Sequence, residues 1–102
     1  MKVRIPPKIK IGTHTYSVTY DRDIRYDDDK IGICNHRTQT IKIWIDAPPS
    51  MKDETLLHEL VHIAEYTYRV RIDDADIDRI AQCICDFLIN NLGIEFDWGN
   101  IK

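Results

Sequence analysis

No run of apolar residues in these 102 positions is long enough to cross a bilayer, and the first residues carry no secretory apolar core. The chain is therefore expected to work in the cytoplasm of whatever cell makes it, without a membrane partner. Cysteine is sparse and odd in number, with Cys34, Cys83 and Cys85 alone. None belongs to a C-x-x-C pair. Cys83 and Cys85 are two apart and fall on different sides of a helix, so they cannot chelate one ion together. Buried free thiols in a reducing compartment are the expected reading. A basic field is missing as well, since the formal net charge is −3, and a nucleic-acid partner is not expected. Lys2, Arg4, Lys8 and Lys10 near the start, and the acidic clusters at 27–29 and 73–78, read as solvated faces. There is no low-complexity stretch and no internal repeat.

What is there is the composition of a globular domain. Hydrophobic residues make up 43% and charged residues 30%, which excludes a disordered chain. The length suits one domain over residues 1–102, with 1–7 and 95–102 as candidate tails. The first half alternates with a two-residue period. Ile9 and Ile11, then Tyr16, Val18 and Tyr20, predict a hairpin around Gly12-Thr13-His14. A polar stretch from Asp21 to Lys30 reads as a loop. A second hairpin is predicted from Ile31–Cys34 and Thr40–Ile45, with Ile41, Ile43 and Ile45 on one face and Lys42 and Trp44 on the other. That last strand is also a candidate edge for an added peptide.

The second half predicts helices. One starts with Ser50 or Asp53 as its cap and runs to about Arg69. Its apolar stripe includes Leu56, Leu57, Leu60, Val61, Ile63, Ala64 and Tyr68. A second runs from near Asp73 to about Asn91, buries Ile77, Ile80, Ala81, Ile84 and Leu88, and ends on Gly93 as a left-handed cap. Residues 94–102 add a short strand or dock on the surface.

On the side of the first helix away from its apolar stripe lies His58-Glu59-Leu60-Val61-His62. Two histidines four apart project from adjacent turns and can reach one ion. Zinc lowers the pKa of a bound water towards about 7, so Glu59 is placed to take its proton as general base for attack on a peptide carbonyl. A surface histidine pair without a ligand is the bland alternative. A catalytic zinc needs a third protein ligand. No histidine follows His62, which excludes HExxHxxGxxH and leaves a carboxylate among Glu65, Asp73, Asp74, Asp76 and Asp78. Glu65 shares the helix and suits an ion pair with Arg69, Asp73 suits the cap, and Asp76 points to solvent. Asp74, at the edge of the second helix's packed face, is the expected ligand, with Asp78 the runner-up. His14 and His36 fall in turns and read as solvated. His36, Tyr66 or Tyr68 would serve an oxyanion only if brought near the metal.

The order of a hairpin, the strand Gln39-Thr40-Ile41-Lys42-Ile43-Trp44-Ile45 and then Glu54-Thr55-Leu56-Leu57-His58-Glu59-Leu60-Val61-His62 resembles compact metallopeptidase-like proteins of phages and prophages, related to the ImmA/IrrE-like zincins. Asp74-x-x-Ile77-Asp78-x-Ile80-Ala81 resembles the second helix of that family, and the likeness spans residues 8–92. It implies a zincin-like α+β fold, with antiparallel strands in two hairpins followed by two packed helices. It also implies His58 and His62 as zinc ligands, Glu59 as general base, and Asp74 as third ligand where the family usually has glutamate. The implied activity is a zinc-dependent endopeptidase that cuts a specific protein, such as a repressor of a phage or mobile element. The alternative is a metal-binding interaction module or phage accessory protein that keeps the fold and cuts nothing.

Overall fold

Alternating isoleucines build one layer and a helix with two apolar stripes builds the next. The computed structural model describes residues 1–102. Its elements are β1 (Lys2–Arg4), β2 (Lys8–Ile11), β3 (His14–Asp21), α1 (Ile24–Asp27), β4 (Gly32–Asn35), β5 (Thr40–Trp44), α2 (Pro49–Tyr68), α3 (Asp74–Asp86), a π-helical extension Phe87–Asn91, and β6 (Glu95–Asp97). The architecture is α+β. No helix is long and apolar enough to cross a membrane.

Both hairpins form. β2 pairs antiparallel with β3, turning at Gly12 with φ +60°, a backbone state that costs glycine nothing. β4 pairs antiparallel with β5. The sheet they make is mixed rather than purely antiparallel, because β5 lies beside β3 and runs parallel to it, in the order β2-β3-β5-β4. The inner position goes to the strand with the better apolar face. Ile41 and Ile43 are fully buried, whereas β4 is half-exposed. β5 therefore has no free edge for an added peptide; the free edges belong to β2 and β4. The polar stretch after β3 holds one short helix, α1, with Ile24 buried under it.

α2 starts at Pro49, whose missing N–H costs nothing at a first helical position. Neither Ser50 nor Asp53 caps it. Pro48 holds the cap position, and Asp53 instead accepts a 2.7 Å hydrogen bond from Trp98 Nε1. One stripe of α2, with Leu56 and Ile63, packs on Tyr16, Val18, Ile41 and Ile43 of the sheet. A second stripe, Leu57 and Val61, packs on Ile77, Ala81 and Cys85 of α3. α3 packs chiefly on α2, and its buried residues form the single i, i+4 row 77, 81, 85. Ile80 and Ile84, expected inside, are 40% and 42% exposed.

The two ends of the chain meet. β1 and β6 form a parallel pair, and Ile5 and Ile101 enter the sheet-side core. Trp98 stacks on Tyr20. Gly93 takes the expected left-handed conformation, φ +66°.

Candidate metal centre

The 3.6-residue period of α2 gives it three directions. At about 100° per residue, Leu56 and Ile63 point to the sheet, Leu57 and Val61 point to α3, and His58 and His62 take the arc left between them. Glu59 falls between His62 and the sheet stripe. It is buried, at 5% exposure, whereas His58 and His62 keep about a third of their side chains in solvent.

The two imidazoles face each other with Nε2 atoms 3.1 Å apart. Each Nδ1 is held by a carboxylate. Asp78 Oδ1 lies 2.5 Å from His58 Nδ1, and Glu65 Oε1 lies 3.0 Å from His62 Nδ1. A carboxylate accepts, so each ring donates from Nδ1 and a neutral ring then carries a lone pair on Nε2. The second oxygen of Glu65 accepts the backbone N–H of Ile72, which ties the α2–α3 connection to the same group.

Two facing lone pairs suit a cation between them. His58, Glu59 and His62 each offer a ligand atom, all within 4.8 Å of one another. Glu59 Oε2 is buried without a hydrogen-bond partner, a costly state for a carboxylate unless charge is nearby. Two nitrogens at 2.0–2.1 Å from zinc and a tetrahedral angle would stand roughly 3.3 Å apart, close to the separation seen. The residues present therefore fit a divalent metal ion. Burial raises the Glu59 carboxyl above its ordinary value, opposed by His58, His62 and Lys30.

The cleft over these residues encloses about 390 Å³ and is polar, with Ile31 its one hydrophobic lining residue. Its walls come from α2 (Glu54, Thr55), from α3 (Asp78) and from the entry to β4 (Lys30, Gly32). Gly32 permits the close approach of β4 to α2, because a Cβ there would collide with Thr55 Cγ2.

Asp78 is brought to the histidines, one turn along α3 from Asp74. Asp74, expected as the third ligand, is the first residue of α3, is exposed and does not line the cleft. The helix crossing brings the second turn of α3, not its start, against His58. Glu65 is engaged with His62 rather than with Arg69.

His36 departs further from its expectation. It is not a solvated turn residue: its ring stacks flat on Tyr66, at 4.3 Å and 3°, and Nδ1 lies 3.0 Å from the hydroxyl of the fully buried Tyr16. Burial, and then His62, lower its pKa, while Glu65 acts against them. Nothing in local spacing marks His36, which stands 26 residues before His62; the one hint was that a histidine near a metal motif is worth placing. Cys34 is half-buried beside it, and burial with the nearby Glu59 pushes its thiol up to about 12. Cys85 is buried as expected, but Cys83 is exposed. His14 bonds the Gln39 side chain and takes no part in the site.

No family model, curated protein or solved structure matches the chain.

Proposed function

We propose that the chain is a zinc-dependent endopeptidase of zincin-like fold, acting on a specific protein. The observation that supports it best is the pair of Nε2 atoms facing each other at 3.1 Å, each ring backed by a carboxylate, beside the buried and unpartnered Glu59. His58 and His62 would hold the ion through Nε2. When bound, zinc supplies a Lewis acid that polarises a carbonyl and makes water acidic near neutral pH.

The chain's own residues divide the remaining work. Asp78 and Glu65 set the tautomer and angle of the two rings, as carboxylate partners of ligating histidines commonly do. Asp78 would be the acid of α3 at the site in place of Asp74, as the partner of His58 Nδ1 rather than as a third ligand. Glu59 Oε2 takes the proton of the attacking water and hands it to the leaving amine, a role suited to a carboxylate whose affinity for protons is raised by burial. The polar cleft, open to solvent and bounded by the free edge of β4, leaves room for an extended chain. The sequence resemblance points to a repressor-type regulator of a mobile element as substrate.

A second reading is a metal-binding interaction module. The exposed apolar residues Ile80 and Ile84 of α3 and Phe87 of its π-helical extension favour it, since they offer a contact face unrelated to the cleft.

Metal content and cleavage separate the two. The protein purified without chelator should carry about one zinc per chain, lost in His58→Ala, and should cut a repressor encoded beside its own gene. Glu59→Gln should keep the zinc and abolish cleavage. Cleavage unchanged in Glu59→Gln would overturn the peptidase reading, and partner binding that needs zinc but ignores Glu59→Gln would support the module.

A further inference from the structure

A second hollow of about 170 Å³ adjoins the metal cleft and shares Lys30, Gly32, Glu59 and His62 with it. His36 lines it, reaching in from the turn after β4. The ring is held on three sides. Its face lies on Tyr66, its edge meets Tyr16 at 84°, and Nδ1 is turned to the Tyr16 hydroxyl and to Cys34 Sγ at 3.7 Å.

These contacts decide the tautomer. Tyr16 is fully buried, and His36 Nδ1 is the hydrogen-bond partner of its hydroxyl. A buried phenolic hydrogen needs an acceptor, so Tyr16 donates and Nδ1 accepts. The hydrogen of a neutral imidazole then sits on Nε2. Nδ1 is engaged with Tyr16, Nε2 has no hydrogen-bond partner within the chain, and the ring lines the hollow that also holds Glu59 and His62. We infer that the Nε2–H of His36 is a preset hydrogen-bond donor to the carbonyl oxygen of a peptide held at the metal cleft.

The inference rests on the peptidase reading and adds to it a residue from the β4–β5 turn. A donor fixed before the substrate arrives needs no reorganisation as charge grows on that oxygen, which is where such donors are most effective. Lys30 also lines the hollow, but on an exposed and flexible side chain. The stacked ring of His36 does not share that freedom.

Acetohydroxamate, a small chelator that carries a carbonyl, is the probe. It is titrated into the zinc-loaded whole chain and into zinc-loaded His36→Ala, His36→Gln and Tyr16→Phe, with zinc affinity measured in parallel. Zinc affinity should stay within about twofold throughout, because His36 is a donor to the ligand and does not hold the metal. Acetohydroxamate affinity should fall about tenfold in His36→Ala, the scale of one lost hydrogen bond. It should fall less in Tyr16→Phe, which releases the tautomer, and return in His36→Gln, whose amide can donate. Should His36→Ala not fold, His36→Phe keeps the stack on Tyr66 without the donor and should show the same loss. Undiminished acetohydroxamate affinity at full zinc loading would overturn the assignment and leave the metal site standing. Zinc lost from a folded His36→Ala would overturn it also, by making His36 a ligand. A wild type that binds no zinc would remove the peptidase reading and this inference with it.

Discussion

Asp78 Oδ1 on α3 lies 2.5 Å from Nδ1 of His58 on α2. The contact joins the two helices at the candidate site and turns Nε2 of His58 towards His62. Glu65 does the same for His62 from within α2. Both rings are thus oriented from behind by acids.

Zinc affinity should follow that geometry. Asp78→Ala is expected to weaken it about 10- to 100-fold, the usual cost of losing an orienting carboxylate. Asp74→Ala, one turn away and exposed, should stay within about twofold of wild type. A competition titration against a chromophoric chelator reads both. Equal losses in the two variants would contradict the placement.

Gly32 sets how close β4 comes to α2. Gly32→Ala drives a Cβ into Thr55 Cγ2 and should cost about 1–3 kcal/mol, as overpacking does. Thr55→Ser removes the colliding methyl group, so the double variant should recover most of the loss. Urea unfolding of the four proteins completes the cycle. Additive losses would show that the two residues do not meet.

Thiol reactivity should divide the three cysteines sharply. Cys83 is exposed and should react within minutes with a disulfide reagent at pH 8. Cys34, pushed up to about 12 by burial and by Glu59, holds only about one thiolate in 10⁴ at that pH. Cys85 is buried and raised by burial as well. One fast thiol in the native protein and three in denaturant is the expected count, read by mass spectrometry.

Asp53 gives a pH-dependent test of the C-terminal docking. Burial raises its carboxyl above the ordinary value, while the hydrogen bond from Trp98 opposes the shift. A raised folded-state pKa favours the folded state below the unfolded pKa, and that advantage is lost as pH climbs through the folded value. Asp53→Asn keeps an acceptor for Trp98 and removes the charge. Its melting temperature should exceed that of wild type at pH 7 and match it near pH 3. A variant less stable than wild type at pH 7 would show that the charged hydrogen bond outweighs the burial penalty.

A single core truncation should confirm which face of α2 meets the sheet. Ile63 is fully buried there, and Ile63→Ala should cost about 2–5 kcal/mol. Tyr66→Ala, half-exposed against His36, should cost less while weakening acetohydroxamate binding.

What the sequence determined by itself is local. Two-residue alternation made the β2–β3 and β4–β5 hairpins readable, and an i, i+4 histidine pair placed His58 and His62 on one helical face, because backbone geometry sets both periods. Gly93 was readable as a left-handed cap because glycine, with no Cβ, takes positive φ without strain. What only the tertiary structure decided depends on which faces pack. β5 took the inner place because its isoleucines outbid β4 for burial. Glu59 was buried by the approach of β4, which Gly32 permits. Asp78 rather than Asp74 met His58 because the crossing of α2 and α3 selects one turn. His36 entered the site through Tyr16 and Tyr66, from opposite sides of it in the chain. No period in the sequence encodes these meetings; they follow from the joint packing of surfaces that are each only locally defined.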